Sequence, residues 1–178
     1  MEKNDDFHSV NEKEIMEYYN FKGTFGKFKL RTKFLKSWIL HSLAYSSPLS
    51  EWIITMQRAR GVKIGKNCYF SPYVQLDLLY PQLITIEDNV GIGSNSIIFV
   101  HSNPTANLYL KNHGYPRKVE PVKIKSGAVI APGTIITSGV TIGKNSMTMI
   151  GSVIGKDVPD NCVVGGNPAR VIKIIDVD

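Results

Sequence analysis

A six-residue period runs through most of this chain and restricts the folds that it can adopt. Large aliphatic residues, mostly isoleucine, recur at every sixth position in blocks that begin at Ile64, Ile86 and Ile124. An amphipathic helix repeats its apolar residues at intervals of three and four, and an alternating strand repeats them every two. Neither pattern explains an interval of six, so a stack of repeating coils is predicted. The repeating positions are Ile64, Phe70, Ile86, Ile92, Ile98, Ile124, Ile130, Ile136, Ile142, Thr148 and Ile154.

The positions between these residues also follow a rule. Four residues after each repeating position the side chain is small or β-branched. Three residues after it stands Gly, Asn or Asp, with Tyr73 and, after Ile98, His101 as the exceptions. Gly, Asn and Asp are the residues that adopt positive φ most easily. Each hexapeptide is therefore predicted to be a short extended segment that ends in a sharp corner, and stacked coils should pair in parallel around an aliphatic interior. The predicted corner residues are Asn67, Tyr73, Asn89, Asn95, Gly127, Gly133, Gly139, Asn145, Gly151 and Asp157.

The first part of the chain lacks the repeat. We predict an N-terminal helical segment over residues 1–60 and the coiled domain over residues 61–175, with helices at Phe28–Tyr45 and Leu49–Arg60. The first helix carries interleaved basic and apolar side chains. Its apolar face is expected to pack against the coils or to cap their open end, because the ends of a solenoid need covering. Binding to a membrane surface is the alternative. The basic residues are Lys27, Lys29, Arg31, Lys33 and Lys36, and the apolar ones are Phe34, Leu35, Trp38, Ile39 and Leu43.

Composition excludes several classes of protein. The chain has 178 residues, of which 43% are hydrophobic and 20% charged, as in ordinary globular domains. It has no apolar stretch long enough for a transmembrane segment, and its polar N-terminus does not resemble a secretory signal, so a cytoplasmic location is expected. Cys68 and Cys162 lack the spacing of a metal or redox motif. The net charge of +6 suits an anionic ligand, although no nucleic-acid partner is expected.

The repeat is interrupted once at length, and a histidine stands where it stops. The extruded loop spans residues 102–121, and a long loop without structure of its own is usually functional. His101 occupies a corner position immediately before this loop, on a rigid scaffold and under a mobile cover. An imidazole placed there can act as a general base, and a solvated corner histidine is the alternative. Neither a Gly-x-Ser-x-Gly nucleophile motif nor further metal ligands in the neighbouring coils accompany it.

Three C-terminal segments carry a family resemblance. They are Ile142-Gly-Lys-Asn-Ser, Gly155-Lys-Asp-Val-Pro-Asp-Asn and Val164-Gly-Gly-Asn-Pro-Ala-Arg170-Val-Ile-Lys173. With them, residues 60–175 resemble the maltose and galactoside O-acetyltransferase group of hexapeptide-repeat acyltransferases. The resemblance implies a mainly β fold, a left-handed parallel β-helix, which assembles as a homotrimer. It also implies acetyl-CoA as the acyl donor and sites for donor and acceptor in the clefts between subunits.

The same resemblance implies roles for individual residues. His101 would be the general base that takes the proton from the attacking hydroxyl, with a backbone N–H of the coil stabilising the oxyanion and no metal involved. Asp77 would either orient His101 or hold an acceptor hydroxyl. The implied contacts of the pantetheine arm are Pro132 and Ile150, those of the nucleotide phosphates are Lys156, Arg170 and Lys173, and those of the acceptor are Tyr69, Ser71 and Asp77.

The chain departs from the sugar-specific members of the group near the acceptor. Val129 stands where they carry Trp, Ser71 stands where Asn is usual, and the segment from Asp77 to Gln82 is longer. The resemblance therefore implies an O-acetyltransferase for a sugar or polysaccharide hydroxyl, with an antibiotic, a serine or an amino-sugar as alternative acceptors. Two functions of a different class would keep the fold: a zinc carbonic anhydrase, which needs three converging histidines, and a non-catalytic or ice-binding scaffold.

Overall fold

The computed structural model describes residues 6–176 of the chain, so the first five residues of the predicted helical segment lie outside it. Short strands predominate after the first 62 residues. The helices are α1 (Phe7–Tyr18), α2 (Gly23–Tyr45), α3 (Ser50–Arg60) and α4 (Leu108–Asn112), with a 3₁₀ turn at Pro81–Leu83. The strands are β1 (Lys63–Ile64), β2 (Tyr69–Phe70), β3 (Gln75–Leu76), β4 (Ile84–Ile86), β5 (Gly91–Ile92), β6 (Ile97–Ile98), β7 (His101–Ser102), β8 (Lys118–Val119), β9 (Val122–Ile124), β10 (Val129–Ile130), β11 (Ile135–Ile136), β12 (Thr141–Ile142), β13 (Met147–Thr148), β14 (Val153–Ile154), β15 (Cys162–Gly166) and β16 (Ala169–Ile174).

The strands form a three-sided parallel β-helix, as the period predicts. Successive strands of each coil join three different sheets in turn, ordered β1-β4-β9-β12, β2-β5-β10-β13-β15 and β3-β6-β11-β14. β16 adds an antiparallel strand to the second sheet. The pairing keeps equivalent positions in register, so that Ile86 stacks between Ile64 and Ile124.

The aligned aliphatic residues are the core of the β-helix. Ile86, Ile92, Ile98 and Ile136 are at most 1% exposed. Burial of a residue of this size contributes roughly 1.5–3 kcal/mol. Thr148 fills the slot without an isoleucine, and its hydroxyl accepts a hydrogen bond from the Ala131 backbone N–H at 2.9 Å. The predicted core is therefore confirmed.

Positive φ angles mark the corners as predicted, with two exceptions. Nine of the ten predicted corner residues have positive φ, and only Asp157 does not. Tyr73 is held at φ +67° where its backbone N–H donates to the Tyr45 carbonyl at the end of α2. The prediction that His101 occupies such a corner is wrong. His101 begins the extended strand β7, opposite Val119 of β8, because the chain leaves the coil there as a hairpin.

The N-terminal helices differ from the prediction in number and limits. α2 begins at Gly23, five residues before Phe28, and α3 begins one residue after Leu49. α1 was not predicted, because its sequence is mostly polar and lacks a clear apolar stripe. α3 caps the open end of the coils, where Ile53 and Ile54 join the hydrophobic core. Within the described residues no helix is long and apolar enough to cross a membrane.

The expectation that the apolar residues of α2 pack against the coils is wrong. Phe34, Leu35, Trp38, Ile39 and Leu43 are all between 42% and 53% exposed. Other positions of the helix are buried: Gly26 lies against Phe21 and Met16, and Ser37 and His41 contact the buried Arg60. The buried residues of α2 are Gly26, Leu30, Ser37, His41 and Ala44.

Arg60 joins α2, α3 and the first coil through a buried network. Its guanidinium donates to the Asp77 backbone carbonyl at 2.6 Å, to Ser37 Oγ at 3.1 Å and to Gln57 Oε1 at 2.5 Å. It also lies 3.2 Å from His41 Nδ1. Burial lowers the pKa of Arg60 to about 10, against the opposing field of Asp77. The cation is therefore held mainly by neutral acceptors, and it fixes the backbone at Asp77.

This network should make folding sensitive to acid through His41. Burial and the Arg60 charge lower the pKa of His41 from 6.5 to about 4. Between these values the unfolded chain binds a proton that the native chain does not, so the free energy of unfolding falls as pH is lowered. Urea denaturation should show a contribution from His41 of up to about 1.4 kcal/mol per pH unit in this window. His41→Asn, which keeps an acceptor for Arg60, should remove that contribution, whereas His8→Asn at an exposed position should not. Equal slopes of the free energy of unfolding against pH in the two variants would contradict the assignment.

Candidate active site

The structure places a carboxylate behind the histidine at the root of the extruded loop. His101 Nδ1 lies 2.5 Å from Asp77 Oδ2. The two residues meet because β3, which ends just before Asp77, pairs with β6, which ends shortly before His101. An ionised carboxylate only accepts hydrogen bonds, so we assign the proton to Nδ1 and leave the lone pair on Nε2. A histidine in this state can remove a proton from a substrate.

Asp77 is an ionised anchor with every hydrogen bond supplied by the protein. The residue is 1% exposed. Its Oδ1 accepts from the backbone N–H groups of Leu79 (2.9 Å) and Tyr80 (3.0 Å), and its Oδ2 accepts from that of Val100 (3.1 Å) as well as from His101. Burial opposes the charge, but these hydrogen bonds hold the pKa of Asp77 below its usual range. The carboxylate therefore stays charged and holds the imidazole in one orientation.

Tyr80 forms a wall beside the imidazole. Its ring is fully buried and meets His101 edge to face, with 5.3 Å between ring centroids. Burial raises the pKa of the Tyr80 phenol, although Arg117, whose Nη1 lies 3.4 Å from the hydroxyl, acts in the opposite direction. The side chain of His101 remains 22% exposed, so a substrate can reach it from solution.

The extruded loop has structure of its own, which the sequence did not predict. β7 and β8 pair antiparallel at its root. The short helix α4 lies within it, and the Asn107 side chain caps that helix by accepting from the Leu110 backbone N–H at 3.0 Å. The loop is therefore a hairpin with a helical tip and not an irregular connection.

Helix α1 fastens this loop beside His101. Glu14 Oε2 lies 2.7 Å from Lys111 Nζ and 2.9 Å from Arg117 Nε, and the side chains of these two cations are only 7% and 9% exposed. Asn11 Oδ1 accepts from both cations, and Asn11 Nδ2 donates to the Thr105 carbonyl. Burial opposes the charge of Glu14, but the two ion pairs lower its pKa. The expected mobile cover is thus held by buried ion pairs.

The residues predicted to contact the acceptor do not all meet in one chain. Asp77 contacts His101, whereas Tyr69 is in β2 and Ser71 follows it. β2 belongs to the second sheet, and His101 follows β6 of the third sheet. One side of the three-sided coil therefore separates Tyr69 and Ser71 from the histidine.

The residues predicted to contact the pantetheine arm stack at one corner. Pro132 follows β10, and Ile150 stands at the equivalent position after β13, one coil further along. The Gly151 backbone N–H donates to the Pro132 carbonyl at 3.0 Å. Ile150 is 78% exposed, an unusual position for a large aliphatic side chain. Together the two residues form an exposed apolar step on the coil.

The predicted phosphate contacts gather at the C-terminal end. Lys156 and Arg170 line the same surface depression of about 260 Å³. A bulge in β16 pairs Arg170 with Gly165 and Lys173 with Val163, which puts both cations on one face of the hairpin. Lys156 follows β14, and His101 follows β6, two coils away along the third sheet, or roughly 10 Å at the usual strand spacing.

Relatives of known class identify the family. No protein-family model matches the chain. It is 33% identical over 144 residues to "Putative acetyltransferase YvoF" of Bacillus subtilis, which covers 79% of this chain and 77% of that protein. The chain belongs to the hexapeptide-repeat acetyltransferases. It is also 35% identical over 114 residues to the galactoside O-acetyltransferase of Escherichia coli, although the match spans 54% of that enzyme's length.

Solved structures agree with this family. A maltose O-acetyltransferase from Clostridium difficile matches with a TM-score of 0.66 and 29% identity, over 83% of this chain and 89% of that one. A galactoside acetyltransferase in complex with coenzyme A matches with a TM-score of 0.65 and 28% identity, over 83% and 82% of the two chains. The predicted fold class, family and enzyme class, an acetyltransferase, are therefore confirmed.

Several residues of this hexapeptide-repeat acetyltransferase were missed in the sequence. Tyr80, Arg117, Glu14 and Arg60 surround or support the Asp77–His101 pair, yet none lies in the repeat. Only the length of the segment after Asp77 drew attention to Tyr80. Within residues 6–176, no cluster of three His, Cys, Asp or Glu side chains is placed to hold a metal ion.

Loss of the Glu14 charge should release the extruded loop. Glu14→Gln leaves the nearly buried Lys111 and Arg117 without a carboxylate, and we expect local destabilisation of about 2 kcal/mol. Hydrogen–deuterium exchange should accelerate over residues 103–117 and stay unchanged in the coils. Glu17→Gln, on an exposed position of the same helix, is the matched control. Equal exchange in the two variants would show that Glu14 does not hold the loop.

Proposed function

We propose that the protein transfers the acetyl group of acetyl-CoA to a hydroxyl of a sugar or a polysaccharide precursor, with His101 as the general base. The observation that carries this proposal is the 2.5 Å contact between His101 Nδ1 and the buried Asp77 carboxylate. A hydroxyl is a weak nucleophile at neutral pH. An imidazole that is held in one orientation, with an unprotonated Nε2, can remove the hydroxyl proton during the attack.

The proposed reaction has one covalent displacement. As the acceptor hydroxyl oxygen attacks the thioester carbonyl carbon, His101 Nε2 takes the hydroxyl proton. The imidazolium that results is stabilised by Asp77, which lies against its other nitrogen and remains ionised. The tetrahedral intermediate then loses the CoA thiolate, which receives the proton from His101. No acyl-enzyme is needed.

The donor is proposed to lie along the exposed corner of the coils. Pro132 and Ile150 offer an apolar surface for the pantetheine arm, and Lys156, Arg170 and Lys173 offer charge for the phosphates. The coenzyme A complex of the similar galactoside acetyltransferase supports this choice of donor. Since acetyl-CoA is an intracellular metabolite, the proposal agrees with the expected cytoplasmic location.

We also propose a homotrimer as the active form. One side of the coil separates Tyr69 and Ser71 from His101, which supports an arrangement in which they contact an acceptor held at the His101 of a neighbouring copy. The sugar acceptor is supported by the galactoside and maltose O-acetyltransferases that the chain resembles. Val129 in place of an aromatic residue argues for an acceptor that differs from those of these two enzymes.

Replacement of His101 tests the general base. His101→Ala should lower kcat by about 10²- to 10⁴-fold, measured as thiol release from acetyl-CoA with a panel of sugars. His101→Asn is sharper, because its amide can still donate to Asp77 but offers no basic nitrogen. Both variants should bind acetyl-CoA normally. Near wild-type turnover by His101→Asn on a confirmed acceptor would show that His101 is not the general base.

Removal of the basic C-terminal side chains tests the donor site. Lys156→Ala with Arg170→Ala should raise the KM for acetyl-CoA more than it lowers kcat, because these cations are proposed to bind phosphates and not reacting atoms. Wild-type affinity should fall as ionic strength rises. Lys63→Ala with Lys66→Ala, exposed cations of the first coil, should leave KM unchanged. Unaltered acetyl-CoA affinity in the Lys156 and Arg170 double variant would show that these residues do not bind the donor.

A further inference from the structure

The two faces of helix α2 differ in their exposure to solvent. One face is buried against the body of the protein. The opposite face carries Phe28, Leu35, Ile39 and Leu43, which are 63%, 53%, 43% and 52% exposed. Their spacing of seven, four and four residues aligns them along one side of the helix. A row of four large apolar side chains open to solvent is unusual in a globular protein and marks an interaction surface.

Basic residues border this apolar row. α2 carries five Lys or Arg side chains and no Asp or Glu. Lys29 and Lys36 each follow a residue of the row by one position, so both lie along the same border of it. Arg31 lies on the other side and shares Glu12 with Lys27, at 3.6 Å and 2.9 Å. The surface therefore combines an apolar centre with a positive margin.

Both tryptophans of the chain lie at this surface. Trp38 is 51% exposed and Trp52, in α3, is 45% exposed. The indole N–H of Trp52 donates to the Leu43 carbonyl at 3.0 Å, which holds Trp52 beside the end of the row. We call this set the α2 surface, comprising Phe28, Lys29, Leu35, Lys36, Trp38, Ile39, Leu43 and Trp52.

We propose that the α2 surface binds the face of an anionic lipid bilayer. α2 has 23 residues and extends roughly 34 Å, so it can lie flat on a membrane. Its apolar row would enter the boundary between headgroups and acyl chains, and its lysines would reach back to the lipid phosphates. Aromatic and aliphatic side chains between basic ones are the composition that such interfacial helices share.

The charge distribution favours a bilayer over a second copy of the chain. Two copies that met through this surface would bring the same cations together, a repulsive arrangement, since Lys29 and Lys36 form no ion pair with any acidic side chain within residues 6–176. An anionic leaflet instead offers negative charge along the whole length of the helix and an apolar layer directly behind it. The proposal does not depend on the acetyltransferase activity.

Vesicle binding by the full-length protein tests the proposal. The protein should sediment with vesicles that contain phosphatidylglycerol and should dissociate from them as salt is raised. It should bind pure phosphatidylcholine vesicles more weakly by at least about tenfold, because each lysine at the surface contributes a factor of roughly five in affinity. Tryptophan emission should shift to shorter wavelength on binding, because both indoles lie at the proposed contact. Equal binding to both kinds of vesicle, or binding without an emission shift, would overturn the proposal.

Two double variants separate the charge from the apolar row. Lys29→Glu with Lys36→Glu should reduce partitioning onto anionic vesicles by at least about tenfold, for the same electrostatic reason. Lys66→Glu with Lys144→Glu changes the net charge equally on exposed coil positions and should retain most of the binding. Loss of binding by equal amounts in these two variants would show attraction to net charge alone and would refute a defined docking surface.

A variant of the apolar row also distinguishes membrane binding from a contact between copies of the chain. Leu35→Gln with Ile39→Gln adds no charge and replaces exposed residues by good helix formers, so the fold should be kept. This variant should lose vesicle binding and the emission shift while its mass in solution stays that of the wild type. A smaller mass would identify the α2 surface as an interface between subunits, and unchanged vesicle binding would exclude the apolar row. Either result overturns the proposal.

Discussion

Each coil of the β-helix closes only if the backbone turns sharply at regular positions, and most L-residues resist the positive φ that such a turn needs. Gly or Asn occupies eight of the nine predicted corners that adopt positive φ, and Tyr73, the ninth, is held there by a hydrogen bond to the end of α2. Because the corners are aligned, equivalent residues of neighbouring coils stack. This alignment gives the continuous aliphatic core, and it also stacks Pro132 and Ile150 on the surface.

The proposed catalytic pair lies where the chain twice departs from its period. The first departure follows β3, where a longer segment wraps backbone N–H groups around the Asp77 carboxylate. The second follows β6, where the chain leaves the coil at His101 as a hairpin. Since β3 and β6 are hydrogen-bonded neighbours, the two irregular segments meet. A rigid, fully paired scaffold thus orients an otherwise mobile imidazole, as precise positioning requires.

The parts of the site that the sequence revealed are those tied to the repeat. His101 is conspicuous because it ends a block of hexapeptides, and Asp77 because it begins the longer segment. Glu14 and Arg117 gave no such signal, since they belong to non-repeating segments separated by 103 positions in the chain. Ion pairs over such a separation depend on how α1 and the loop fold back, and no local pattern encodes that. The extended conformation of His101 is likewise decided by its pairing with Val119.

The sequence by itself determined the coiled architecture, because corner conformation and aliphatic burial are local preferences repeated at a fixed interval. It also determined the family, through the basic Gly-Asn-Pro-Ala-Arg segment and its neighbours. Only the tertiary structure decided which side of α2 is buried. That helix carries apolar side chains around much of its circumference, so its own pattern allows either side to face inward. The buried Arg60 of α3 contacts Ser37 and His41, and this contact turns their side of α2 inward and leaves the larger apolar residues exposed. The position of Arg60 depends on how α3 packs on the first coil, which the sequence of α2 does not encode.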